Sequence, residues 1–324
     1  MRITRLALGL ASLCLVALHA ADDLKGAVRV DGSSTVFPIS EAVAEDFGKT
    51  APAVKVTVAV SGTGGGFKRF CKGETDISNA SRPITRSEAA ACGDTKIEFI
   101  ELPIAYDGLC VVVHPSNDWV KHLTVPQLRR IFGSTDTARK WKDLDPTWPD
   151  RTIRVFSPGT DSGTYDYFSE VVVGKEGKMR SDMSVSEDDN VLVTGVAGER
   201  DAIGFFGYAY ARENASRVRA VPVDGGKGPV KASDETITDG TYTPFSRPLL
   251  IYVNRASAAM PQVAAFVDFQ LGQGADLVKE VGYTPLPASL LDRARTNWKA
   301  RRTGTQFLDA AGEKRHGPLA DLYR

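Results

Sequence analysis

Histidine and cysteine are scarce in this chain, at four each in 324 residues, and no net charge remains once 40 basic residues are set against 40 acidic ones. A nucleic-acid binder usually carries a strong basic excess, so the balance argues against that class. An anionic ligand would then have to be held by local geometry more than by the field of the whole molecule. No C-x-x-C pair is present, and neither a metal nor a cofactor is expected. The apolar run at 6–18 is too short for a typical spanning helix. Arg2 and Arg5 precede it and Ala20-Ala21 closes it, which is the layout of a secretory signal peptide over 1–21, cleaved after Ala20 or Ala21. Leu13 stands before Cys14 where a lipoprotein site would want a small residue, so release is expected in place of lipidation.

Export leaves Cys71, Cys92 and Cys110 in an oxidising compartment. Cys71 and Cys92 flank one segment and could bridge, or all three could be packed as thiols; Cys110, inside Leu109-Cys110-Val111-Val112-Val113, reads as a small buried hydrophobe.

What the chain does have is a repeated kind of junction. The β-branched run Val54, Val56, Val58, Val60 leads into Ser61-Gly62-Thr63-Gly64-Gly65-Gly66-Phe67 and then into a helix. Glycines let the backbone come close to a ligand, and the free N–H groups of a first helical turn favour an anion. The strand at 27–30 leads in the same way through Gly32-Ser33-Ser34-Thr35 into a helix with Pro38 near its start. Ser78 to Arg82 precede a helix beginning near Thr85, and Thr152 to Phe156 form a strand followed by Gly159-Thr160-Asp161-Ser162-Gly163-Thr164 and another helix. Strand candidates at 97–104 and 109–114 are joined by Ala105-Tyr106-Asp107-Gly108; further strands are expected at 202–208 and 249–253, and helices at 123–132, from Ser184, and at 262–271. The alternation predicts α/β units on a mainly parallel sheet, with ligands at the carboxyl ends of the strands. The polar, charged stretch from Thr303 is expected to be loosely held.

One Ser/Thr cluster is ordinarily just a helix cap, but four on one face of such a sheet point to an oxyanion gripped by hydroxyls, backbone N–H groups and an arginine. The glycine loop is not a nucleotide-triphosphate loop, because Phe67 and not lysine follows Gly66. A hydrolase using Ser162 would need a base, and His114, His122 and His316 all lie outside the hydroxyl clusters.

The motifs Asp31-Gly32-Ser33-Ser34-Thr35-Val36-Phe37-Pro38, the glycine loop, Asp76 to Pro83, Gly159 to Thr164 and Gly204 to Tyr210 resemble, in order, the periplasmic phosphate-binding proteins (PstS-like) of the phosphate ABC transporter. The resemblance runs from about Val28 to at least Leu286. It implies a type II periplasmic binding fold, two α/β lobes joined by two crossover strands near 105–109 and 247–250. Lobe 1 would be 22–106 plus 248–302, lobe 2 would be 107–247, and 303–324 a tail. It further implies a periplasmic, non-enzymatic monomer that binds inorganic phosphate and hands it to membrane permease subunits. The site residues implied are Ser34, Thr35, the N–H of Val36, Thr63, Ser81, Arg82, Asp161, Ser162, Gly163 and Thr164. Two departures stand out: Ser81 replaces the family's proton-accepting aspartate, and Pro158 replaces an arginine before the Ser-Gly-Thr. Arg82 is the expected substitute cation, and Asp161 or Asp31 the expected substitute acceptor. Sulfate is the competing ligand, since loss of that aspartate would weaken discrimination; a secreted phosphate-ester hydrolase is the alternative of a different class.

Overall fold

The computed structural model describes residues 24–160, 162–174, 176–186 and 188–324. The expected signal peptide, and Asp161 among the site residues, lie outside them. Among the described residues no helix is long and apolar enough to cross a membrane.

The elements that position the site are β1 (Gly26–Gly32), α1 (Phe37–Thr50), β2 (Val54–Val60), α2 (Gly62–Phe70), β3 (Ile77–Ala80), α3 (Arg86–Asp94), β4 (Phe99–Val113), α4 (Val125–Phe132), β5 (Arg154–Ser157), α5 (Gly163–Val172), β6 (Ser184–Val185), α6 (Asp189–Gly198), β7 (Ala202–Gly207), β8 (Ser246–Asn254), α8 (Pro261–Leu271) and α9 (Ala288–Lys299), with the short helix α7 (Tyr208–Glu213) after β7. The strands lie in the order β2-β1-β3-β8-β4-β7-β5-β6. At one end β1 is parallel to β2 and β3; at the other β5 is parallel to β6 and β7. Each parallel group therefore has its carboxyl ends, and the helix starts that follow them, on one side.

The two groups are joined through β4 and β8, which run antiparallel from Phe99↔Asn254 to Gly108↔Ser246, with a register shift between Leu249 and Leu250. On the near side of that shift β8 pairs with β3; past it, Leu109 to Val113 of β4 pair with β7. The expected break at Ala105-Tyr106-Asp107-Gly108 is absent. β4 is one strand of fifteen buried residues, because a strand covered by neighbours on both edges and layers on both faces needs no solvent-exposed turn.

The apolar faces agree with this layering. Phe47 of α1 packs edge-on against Phe266 and Phe269 of α8 at 5.5 Å, while Phe168 of α5 stacks on Phe205 of β7 at 3.8 Å. Cys71 and Cys92 form a disulfide between α2 and α3, and Cys110 is a buried free thiol. Two local expectations change. Ser184–Val185 form an edge strand, and the helix starts only at Asp189, capped by Asp188, whose carboxylate accepts from the Asn190 N–H. The stretch from Thr303 is held firmly: Phe307, Leu319, Leu322 and Tyr323 are buried, and donors from Thr305, Gln306 and Tyr323 reach Glu101 of β4. Charge along that stretch is misleading because Phe307, Leu319, Leu322 and Tyr323 join the hydrophobic core.

Candidate anion-binding site

A cleft of about 410 Å³ opens where the two groups of carboxyl ends meet, lined among others by Ser33, Ser34, Thr35, Thr63, Ser81 and Gly163. Helices elsewhere, α3 and α4, begin with side-chain capping boxes at Thr85 and Thr124. By contrast α1 and α2 begin without any side-chain cap; in α1 the Phe37 and Ile39 N–H groups donate to the Ser33 and Val36 carbonyls, and the open donors lie in the turn just before the helix. Among the described residues, the N–H groups of Ser34, Thr35 and Val36 meet no protein acceptor.

The glycine loop has a steric origin. Gly62 adopts φ of 73°, which side-chain-bearing residues rarely reach, and a β-carbon on Gly66 would come to 2.6 Å from the Gly32 Cα. The loop thus lets α2 sit directly on β1 and puts Thr63 in the cleft. Thr63 and Ser81 are hydrogen-bonded through their hydroxyls at 3.1 Å, and the Ser81 N–H donates to Thr63 Oγ1 at 3.2 Å.

From the opposite side comes the start of α5. A β-carbon on Gly163 would lie 2.2 Å from Thr35 Oγ1 and 2.8 Å from the Thr35 nitrogen, so the two halves touch here, donor cluster against donor cluster. Ser162 and Thr164 flank this contact without lining the cleft. Ser162 Oγ accepts from the Thr164 N–H at 3.2 Å, capping its own helix. The side chain of Val36 is in the core, which leaves only its N–H for a ligand.

Arg247 of β8 brings a guanidinium to the cleft. One guanidinium nitrogen donates to Thr35 Oγ1 at 3.1 Å and to Asp107 Oδ2 at 3.1 Å, and the guanidinium carbon lies 3.6 Å from the centre of the Tyr167 ring. Arg82 also lines the cleft, but its guanidinium is gripped bidentately by Glu88 at 2.8 Å on both oxygens. Arg82 is thus paired with Glu88 as Arg247 is with Asp107, and of the two cleft-lining cations Arg247 is the one that also reaches Thr35, where the halves touch. Asp31, one of the two expected acceptors, is buried against Arg69 at 2.5 Å and is not among the cleft-lining residues.

Three carboxyl groups bear on the electrostatics. Burial pushes Asp107 up, against the pull of the Arg247 guanidinium. Partial burial likewise raises Asp166, opposed by Arg247 and reinforced by Glu170. Asp166 and Glu170 both line the cleft, one helical turn apart on α5. The lining residues include no histidine among the described residues.

Arg247, Asp166 and Glu170 were missed by sequence reasoning. Arg247 lies in an otherwise ordinary strand, and only its register partner Asp107, across the crossover, marks it.

Residues 19–273 match the model of the PBP superfamily domain. Protein SphX of Synechococcus elongatus is 47% identical over 297 residues, covering 90% of this chain and 87% of that protein. The phosphate-binding protein PstS of Staphylococcus haemolyticus is 38% identical, covering 82% of this chain and 83% of its own. Among solved structures, a possible phosphate binding protein from Planctomyces limnophilus superposes with a TM-score of 0.83 at 45% identity, covering 86% of this chain and 100% of that one. An ABC-type phosphate transport receptor from Vibrio cholerae superposes with a TM-score of 0.65 at 26% identity, covering 80% and 100%.

Proposed function

This chain belongs to the PBP superfamily, in its PstS-like family with the type II periplasmic binding fold, and on that premise we propose that it is an extracytoplasmic receptor that closes on inorganic phosphate and delivers it to an ABC permease. The observation that carries the reading is the contact of Gly163 with Thr35, which brings strand-to-helix junctions from both halves of the sheet to one cleft beside Arg247. Phosphate oxygens accept from the N–H groups of Ser34, Thr35, Val36 and Gly163 and from the hydroxyls of Thr35, Thr63 and Ser81, and the guanidinium of Arg247 supplies the positive charge.

The halves correspond to lobe 1, 22–106 plus 248–302, and lobe 2, 107–247, with the crossover at Asp107 and Arg247. Asp166 is the carboxylate we assign as acceptor for the proton of hydrogen phosphate. Sulfate has no such proton and would leave it facing bare anion oxygens. Ser162 is turned to its own helix, and no histidine lines the cleft among the described residues, which weighs against the hydrolase alternative. Transport partners and the exported location are inferred from the family, and the latter also from the signal peptide expected at 1–21.

Phosphate at about a thousand times its Kd should stabilise the fold by roughly 4 kcal/mol, read as a rise in Tm. No rise with phosphate, under conditions where the chain is folded, rejects the proposal.

A further inference from the structure

Glu101 is an ionisable side chain on β4, only 3% exposed and outside the anion site described above. Donors converge on its carboxylate: Tyr252 Oη at 2.8 Å and Thr305 Oγ1 at 2.7 Å to one oxygen, the Gln306 N–H at 2.9 Å to the other. Its backbone carbonyl accepts from Tyr323 Oη at 3.0 Å. Among the described residues no lysine or arginine pairs with it; the titratable groups facing it are Tyr252 from β8 and Tyr323 from the C-terminal stretch. Tyr252 is committed on both sides, because the same hydroxyl accepts the Ile84 N–H at 2.9 Å. Its ring is fixed between Phe67 at 4.8 Å and Phe99 at 5.6 Å. Ile84 lies three positions after Ser81 and directly follows Arg82-Pro83, so this chain of bonds ends on the loop that presents Ser81 to the cleft.

We propose that Glu101, together with the C-terminal segment 303–324, is a positioning device: through Tyr252 it pins the Ile84 amide and so fixes the cleft loop of Ser81 and Arg82. A carboxylate without a counter-ion, surrounded only by donors, is an acceptor hub, and each donor lost leaves a buried group unpaired. The tail supplies two of those donors, so it acts on the cleft without reaching it. The consequence for ligand affinity rests on the phosphate reading; the pinning of the loop does not. Burial lifts the Glu101 carboxyl to about 7, so its ionisation changes in the neutral range. The ionised form holds Tyr252 more strongly.

The test uses the full chain. Amide exchange at Ile84, expressed as protection against the intrinsic rate, is compared in wild type, Tyr252→Phe, Thr305→Val and Glu101→Gln, alongside phosphate titration of each. Tyr252→Phe keeps the ring and should cost Ile84 about tenfold in protection while core amides of β1 stay protected, with phosphate binding weakened about threefold to tenfold. Thr305→Val should move both in the same direction by less. Wild-type protection at Ile84 should rise with pH through about 7 and be flat in Glu101→Gln. Unchanged Ile84 protection in both Tyr252→Phe and Thr305→Val overturns the proposal, as does loss of protection shared equally with β1. The exchange arm needs no ligand, so it decides the positioning claim even if wild type binds no phosphate.

Discussion

Arg247 and Asp107 are register partners on the two strands that join the halves of the sheet, and their side chains are ion-paired at 3.1 Å with exposures of only 14% and 5%. The same guanidinium reaches Thr35 of one half and lies over Tyr167 of the other. One cation is thus anchored at the crossover and touches both halves, which is where a closing cleft needs a fixed charge.

Arg247→Met should weaken phosphate binding at least about a hundredfold, and should also destabilise the fold by about 3 kcal/mol or more because Asp107 is left buried and unpaired. Adding Asp107→Asn should recover stability without recovering affinity. Calorimetric titration and urea unfolding of the single and double variants separate the two effects; equal recovery of both would mean that Arg247 is a structural ion pair only.

Gly163→Ala tests closure. The added methyl would meet Thr35 Oγ1 at 2.2 Å, too close for any side-chain adjustment, since the Thr35 backbone nitrogen follows at 2.8 Å. The halves would have to stay apart, a separation that relieves the clash without disturbing either core. The ligand-free Tm should change little, while phosphate affinity falls at least about tenfold, an effect of about 1.4 kcal/mol or more. Small-angle scattering should show no contraction of the variant on phosphate addition.

Asp166→Asn should narrow the preference for phosphate over sulfate by about tenfold or more, mainly by letting sulfate bind better, because an amide can donate to an oxyanion where a carboxylate repels it. Competition of sulfate against phosphate in the variant and wild type reads this directly. An unchanged ratio would move the acceptor role elsewhere.

Glu101 gives a pH dependence of stability with a definite sign. Its folded value is lifted to about 7 by burial, opposed by the Gln306, Thr305 and Tyr252 donors, against 4.5 when free. The stability linked to this group is full below about pH 4.5 and is lost as pH rises through about 7, up to roughly 3 kcal/mol in all. Glu101→Gln does not titrate, so its stability relative to wild type should climb across that window. Urea midpoints of both proteins from about pH 5 to about pH 8 check it.

The donor clusters were legible because they are local. Ser33 to Thr35, Gly62 to Thr63 and Gly163 each announce a strand end, a close backbone approach and a helix start within a few residues. Thr63 and Ser81 indeed meet, and Thr35 meets Gly163. The charges were not legible in the same way. Arg82 and Arg247 are alike in sequence, and each is ion-paired, the first with Glu88 in the first turn of α3 and the second with Asp107 far away in the chain, a pairing that holds Arg247 beside Thr35. The C-terminal segment misled for a related reason. Its polarity predicts solvent, but Thr305, Gln306 and Tyr323 find their acceptor on Glu101, roughly two hundred positions earlier. The helix expected from Ser184 begins late because the first two residues of that stretch extend β5's sheet instead, pairing Phe156↔Ser184 and Ser157↔Val185.

The most direct test of phosphate binding at this cleft is calorimetric titration of the purified protein with inorganic phosphate, and separately with sulfate, at neutral pH. One phosphate site per chain is expected, lost on Arg247→Met and weakened by Gly163→Ala, with sulfate binding far more weakly. Sulfate binding as tight as phosphate, or phosphate binding indifferent to both substitutions, would contradict it.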